Sequence, residues 1–122
     1  MEAKKFDLED RLVNFAAEIV FLCKDLPNDM TGTYYGNQLL RSAGSSALNF
    51  GEAQGSFTVK DKINKLSLSL KELKESRVNL RILEKVKYAN DFKREELLDE
   101  VDQLIKIIAT IIKNKSQKNE GR

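Results

Sequence analysis

The chain contains no histidine and no tryptophan, one cysteine (Cys23) and one proline (Pro27). Without imidazole there is no His-based acid–base relay, no Ser-His-Asp triad and no histidine-ligated metal site. A lone thiol forms no internal disulfide, no CxxC redox pair and no cysteine-based zinc site. That absence agrees with a reducing compartment. Five of the six glycines fall between Gly32 and Gly55, and residues 56–120 contain neither glycine nor proline. Such a stretch is written for long helices and not for a many-turned β fold. The opening MEAKKFDLED holds no apolar run of the signal-peptide kind, and no stretch nears the roughly 18 apolar residues of a membrane span. The expectation is therefore a soluble, cytoplasmic, non-enzymatic protein without cofactor or metal and without membrane association.

What is present is a core. Of 122 residues 41% are apolar, enough for one ordinary domain over 1–122. Charged residues make up 33%, and 21 basic against 19 acidic side chains leave a net charge of +2.

Four segments carry a helical period. The first spans about 7–26, with Leu8, Leu12, Phe15, Ala16, Ile19, Leu22, Cys23 and Leu26 on one face. Asp7 is its N-cap and Pro27 its stop. The second, about 33–54, is rich in glycine, serine and alanine, so an irregular loop competes with a helix lined by small residues. The helix is preferred. Leu39, Ala43, Ala47 and Phe50 keep an apolar face, and Gln38, Arg41, Ser45, Asn49 and Glu52 keep a separate polar one. The third, about 58–88, opens on a capping-box-like Thr58 and Asp61. Its main stripe is Val59, Ile63, Leu66, Leu70, Leu73 and Leu80. Leu68, Ile82 and Val86 lie about 180° away. The fourth, about 93–115, turns Leu97, Val101, Leu104, Ile105, Ile108, Ile111 and Ile112 inward and leaves 116–122 as a frayed tail. Short connections make this an all-α, up-down-up-down four-helix bundle.

Three runs of residues bear a resemblance. They are Asp7-Leu8-Glu9-Asp10-Arg11 with Phe15-Ala16 and Leu26-Pro27; Gly36 to Ala43 with Ser45, Asn49 and Glu52-Ala53; and Lys65-Leu66-Ser67 with Leu70-Lys71-Glu72 and Glu75. Together the chain resembles the bacterial four-helix bundle proteins known as 23S rRNA intervening-sequence proteins. The resemblance implies a homo-oligomeric, pentameric ring. It also implies kinship with the accessory variability protein of diversity-generating retroelements, and through it RNA or DNA and a reverse transcriptase as partners. For most members of the family the role is unknown.

Three constellations follow from the residues. The polar stripe, with Glu72 and Glu75 of the third helix, reads either as a ligand contact or as a structural network in which Arg41 pairs with those carboxylates. The network is favoured, with Arg41 buried among small neighbours. The third helix with its flanks carries nine basic and four acidic residues, a net +5. Lys71, Lys74, Arg77, Arg81 and Lys85 fall within about 120° of one another. This arc is either a nucleic-acid-binding surface reading phosphate or a solvated face. Leu68, Ile82 and Val86 read as an oligomer interface, or as a helix sandwiched inside its own bundle. The expected function is that of an oligomeric binding or scaffold protein, the alternative a protein–protein adaptor that binds no nucleic acid. Cys23 is expected in the core, and no carboxylate pair has the Glu-x-x-His partner of a di-iron bundle.

Overall fold

The computed structural model describes residues 7–120, with side chains described for 7–118. It contains α1 (Leu8–Lys24), α2 (Met30–Gln54), α3 (Val59–Val86) and α4 (Asp91–Glu120). Each helix begins on a side chain able to satisfy its free N–H groups. Asp7 accepts from the Asp10 amide at 3.1 Å, Asp29 from Gly32 at 2.8 Å, Thr58 from Asp61 at 3.0 Å and Asn90 from Lys93 at 2.9 Å.

α1 and α3 end two residues before the expected bounds, and the larger departures are in α2 and α4. α2 starts at Met30 and not 33, because Asp29 serves as an N-cap rather than a mere turn residue. α4 starts at Asp91 and continues to Glu120, through the polar stretch expected to fray from 116. No helix breaker precedes Gly121, and Lys115 lies near Leu8 and Leu66 at the end of the bundle. The expectation for 121–122 lies outside the described residues.

The buried positions show why these helices pack. α1 buries Leu8, Leu12, Phe15, Ile19 and Leu22, and α3 buries Leu66, Ser69, Leu73, Ser76, Leu80 and Leu83. α4 buries Arg94, Leu97, Val101, Leu104 and Ile108. In α2, Gly32, Gly36, Leu39, Ala43, Ser46, Phe50 and Ala53 keep the same alternation of three and four. A strict 3.5-residue period wraps each helix around its neighbours in a left-handed bundle. α1 packs on α2, α2 on α3, α3 on α4 and α4 back on α1, and among the described residues no diagonal pair of helices brings Cα atoms within 8 Å. The α1–α4 edge is stitched by ion pairs: Arg11 to Glu100 at 2.6 Å and Lys93 to Glu18 at 2.7 Å.

The inner stripe of α3 is rotated from the expected one. Val59 is exposed and Ile63 and Leu70 are half-buried, while the row through Ser69, Ser76 and Leu83 faces the core. Serine supports this because the α2–α3 seam is narrow. The Ser69 hydroxyl donates across it to the Ser46 carbonyl at 2.8 Å, and the Ser42 and Ser76 oxygens lie 2.6 Å apart. The small residues of α2 thus make a closely packed helix and not a loop.

α3 ends on Lys87 in the left-handed conformation (φ 63°), and Ala89 follows at φ 71°. The Lys87 and Tyr88 amides close back on Glu84 and Leu83, the double closure that usually takes glycine at this position. Lys87→Gly should therefore raise stability by about 1 kcal/mol. A thermal unfolding midpoint that does not rise would show that the flanking contacts have already absorbed the strain.

Candidate functional site

The α2–α3 face carries most of the singled-out polar residues, and the structure divides them into three groups. In the middle, Arg41 forks between Glu72 (3.1 Å) and Glu75 (2.7 Å) across the seam. Toward the C-terminus of α2, Glu52 meets Lys65 at 2.6 Å. Asn49 turns back to donate to the Ser45 carbonyl of its own helix at 2.9 Å. Gln38 lines the groove described below. The pairing of Arg41 with two carboxylates is present, but its expected burial is not. The Arg41 side chain is 50% exposed, because its position faces outward, one step from the seam that Ser42 occupies. The polar residues that are buried are Ser42, Ser46, Ser69 and Ser76, together with Arg94. Sequence reading missed Ser69, Ser76 and Arg94 as core. The signal was the unbroken three–four spacing that runs through them.

The fork holds the Glu75 carboxyl below its ordinary range. The Arg41 hydrogen bond is the main cause, opposed by slight burial and aided by the charges of Arg41 and Lys71. A carboxylate depressed in the folded state contributes stability above its unfolded pKa, and this is lost as pH falls through its folded value. Arg41→Ala should thus destabilise by no more than about 1 kcal/mol at pH 7, as befits an exposed pair. Its stability profile should also flatten below the ordinary glutamate range. Denaturation at a series of pH values checks this, and an unchanged acid limb would disprove the role of the fork.

The basic arc of α3 also divides. Arg77 pairs with Asp102 of α4 at 2.8 Å. Lys71, Lys74, Arg81 and Lys85 close no ion pair among the described residues. An open groove of about 720 Å³ runs beside them, lined by Gln38, Arg41, Ser67, Leu70, Lys71, Lys74, Glu75, Val78 and Asn79. It is a broad trough and not a closed chamber. On the outer side of α3, Leu68 and Val86 are exposed and Ile82 half-buried. They are not sandwiched inside their own bundle.

The remaining singled-out groups have structural surroundings. Cys23 is half-buried, its thiol 3.6 Å from the Gly36 carbonyl, and burial pushes its pKa up to about 11. A thiol so held stays protonated and unreactive at neutral pH. Among the described residues, no three histidine, cysteine or carboxylate side chains converge as a metal site, and no helix is long and apolar enough to cross a membrane.

An antiparallel bundle with a 3.5-residue core, a serine seam and a lysine-lined trough defines an all-α bundle protein. Over residues 4–110 the chain matches the family model of the 23S rRNA-intervening sequence protein. The chain belongs to this family. It is similar to a solved protein of unknown function from the S23 ribosomal protein family of Bacteroides thetaiotaomicron VPI-5482. The two share 32% identity over 88% of this chain and 99% of the other, with a TM-score of 0.81. No curated protein matches the chain.

Proposed function

We propose that this member of a family of unknown function is a non-enzymatic, self-assembling scaffold that binds nucleic acid through phosphate contacts on α3. The observation that carries the proposal is the set Lys71, Lys74, Arg81 and Lys85, which closes no ion pair among the described residues and of which Lys71 and Lys74 line an open trough. From Lys71 to Lys85 the helix rises about 21 Å, a length over which one strand of a duplex carries roughly six phosphates. Repetition of the arc around a homo-oligomeric ring multiplies the contacts, so a chain of net charge +2 still presents a strongly positive surface locally. Contacts of this kind position the backbone and read no bases.

Fluorescence anisotropy against salt tests the reading. The logarithm of affinity should fall linearly with the logarithm of salt concentration. Replacing the four cations by glutamine should shallow the slope by about 0.9 for each duplex phosphate that a subunit no longer neutralises. Absence of binding at about 50 mM salt, or a flat slope, defeats the mechanism.

A protein–protein adaptor is the second reading. Phe57, in the α2–α3 turn, is fully exposed, and Phe92 is 68% exposed. Capture of a protein partner that depends on these two rings, with no nucleic acid retained, would favour it.

A further inference from the structure

Two apolar faces of the protomer lack a partner, and they differ in shape. The first lies along the outer edge of the α1–α2 pair. Glu9 lies beside Gly51, and Cys23 beside Gly36. This antiparallel register sets Val13 level with Leu48, Ala17 with Gly44 and Val20 with Leu40. Val13, Val20, Leu40 and Leu48 are all exposed, and a side chain at Gly44 would meet no atom within 4 Å. The face is therefore a shallow saddle, with apolar posts at both ends and a bare floor between them. It is also free of charge. Residues 13–23 contain only Glu18, which is paired with Lys93, and residues 30–51 contain only Arg41, which is turned to α3.

The second face is a ridge on the outer side of α3, formed by Leu68, Val78, Ile82 and Val86, of which Ile82 alone is half-buried. α1 and α3 stand at opposite corners of the bundle, with no Cα–Cα approach within 8 Å among the described residues, so saddle and ridge point away from each other. Their surroundings are opposite in charge. Between Asp7 and Asp25 there are five acidic and two basic residues, whereas α3 carries eight basic and four acidic.

We propose that the saddle receives the α3 ridge of a second copy of this chain. The proposal rests on the self-assembly reading above and specifies its contact. Val78 and Ile82, one turn apart at the middle of the ridge, enter the floor at Ala17 and Gly44. Lys71, within the arc of the ridge, meets the acidic surroundings of α1 and so leaves the phosphate-binding set in the assembled ring. Lys74, Arg81 and Lys85 remain on the free flank of α3. Two unlike faces turned apart join copies head to tail, and rotation at each contact closes a ring without a two-fold axis.

Sedimentation velocity on two surface variants tests the contact. Gly44→Arg projects into open space and improves helix propensity, and Val78→Glu adds a partner for Lys74 and Arg81, so both protomers keep their helical circular dichroism. Each variant alone should sediment as the 13.9 kDa protomer. An equimolar mixture should form a two-subunit particle and nothing larger, since one intact saddle then meets one intact ridge. A Gly44→Arg variant that assembles like the unaltered chain overturns the pairing. So does a mixture that stays monomeric, or either variant dimerising alone. An unaltered chain that is itself monomeric at micromolar concentration overturns the self-assembly reading, and the contact with it.

Discussion

Ser76→Leu should destabilise the protomer by about 3 kcal/mol, whereas Ser76→Ala should stay within about 1 kcal/mol of the unaltered chain. Ser76 is fully buried at the α2–α3 seam, in a register position that leucine fills one turn to either side, at Leu73 and Leu80. On apolarity alone leucine would be an improvement. The distances decide otherwise. The Ser76 oxygen is 2.6 Å from that of Ser42 and also donates to the Glu72 carbonyl at 3.0 Å. Leucine adds two further carbons to a site already closed by the opposite helix, and so it must push α2 and α3 apart. Alanine removes the hydroxyl and leaves the backbones where they are, while Ser42 retains a weak contact with the Leu39 carbonyl at 3.5 Å. Equilibrium urea denaturation of both variants checks this. A Ser76→Leu protein as stable as the alanine variant would show that the seam has slack.

The seam shows where sequence is informative about this fold and where it is not. Four helices were legible because leucine, isoleucine and phenylalanine recur at three–four spacing in α1 and α4, and nothing but a packed face explains that recurrence. In α3 the same spacing passes through Ser69 and Ser76, residues that favour neither core nor surface by themselves. Following the larger apolar residues instead rotated the expected stripe toward Val59, Ile63 and Leu70. Arg94 misled in the same way. It occupies a core register position yet carries a charge, and it is buried beside Asp91 with its Nε atom unpartnered. Charge is ordinarily a good surface marker, and it fails where a helix begins and an acidic residue of the first turn supplies the counter-charge.

The candidate site was legible as composition more than as geometry. A net positive α3 and an Arg41 facing Glu72 and Glu75 follow from residue spacing. Whether Arg41 is buried depends on which of two adjacent residues, Arg41 or Ser42, faces the seam, and propensity does not distinguish them. Likewise, Arg77 lies on the same arc as Lys74 and Arg81, but only the packing of α4 brings Asp102 to it. Charge patterning identifies a basic helix. Tertiary pairing decides which of its cations remain available to phosphate.

The second large effect concerns two glycines of one helix, at which the same substitution should act with opposite sign. Gly32→Ala should cost about 2–3 kcal/mol, and Gly44→Ala should add up to about 1 kcal/mol to the protomer kept apart by Val78→Glu. A methyl at Gly32 would lie 2.0 Å from the Pro27 carbonyl oxygen and 3.2 Å from the Asp29 carboxylate. That turn has little freedom to yield. Pro27 restricts the backbone, and Asp29 caps α2 through the Gly32 amide while accepting the Tyr88 hydroxyl at 2.8 Å. The Asp29 carboxyl is accordingly held below its ordinary range, by the Gly32 amide first and Tyr88 second. Moving the turn to admit the methyl would give up the cap, itself worth about 1 kcal/mol. At Gly44 no atom lies within 4 Å of the new carbon, so only the backbone entropy of glycine is removed. Denaturation midpoints compared at constant m-value separate the two cases. If Gly32→Ala were as stable as the unaltered chain, the Pro27–Asp29 turn would have to shift without losing its hydrogen bonds. If Gly44→Ala were less stable in that separated protomer, the floor between α1 and α2 would not be open.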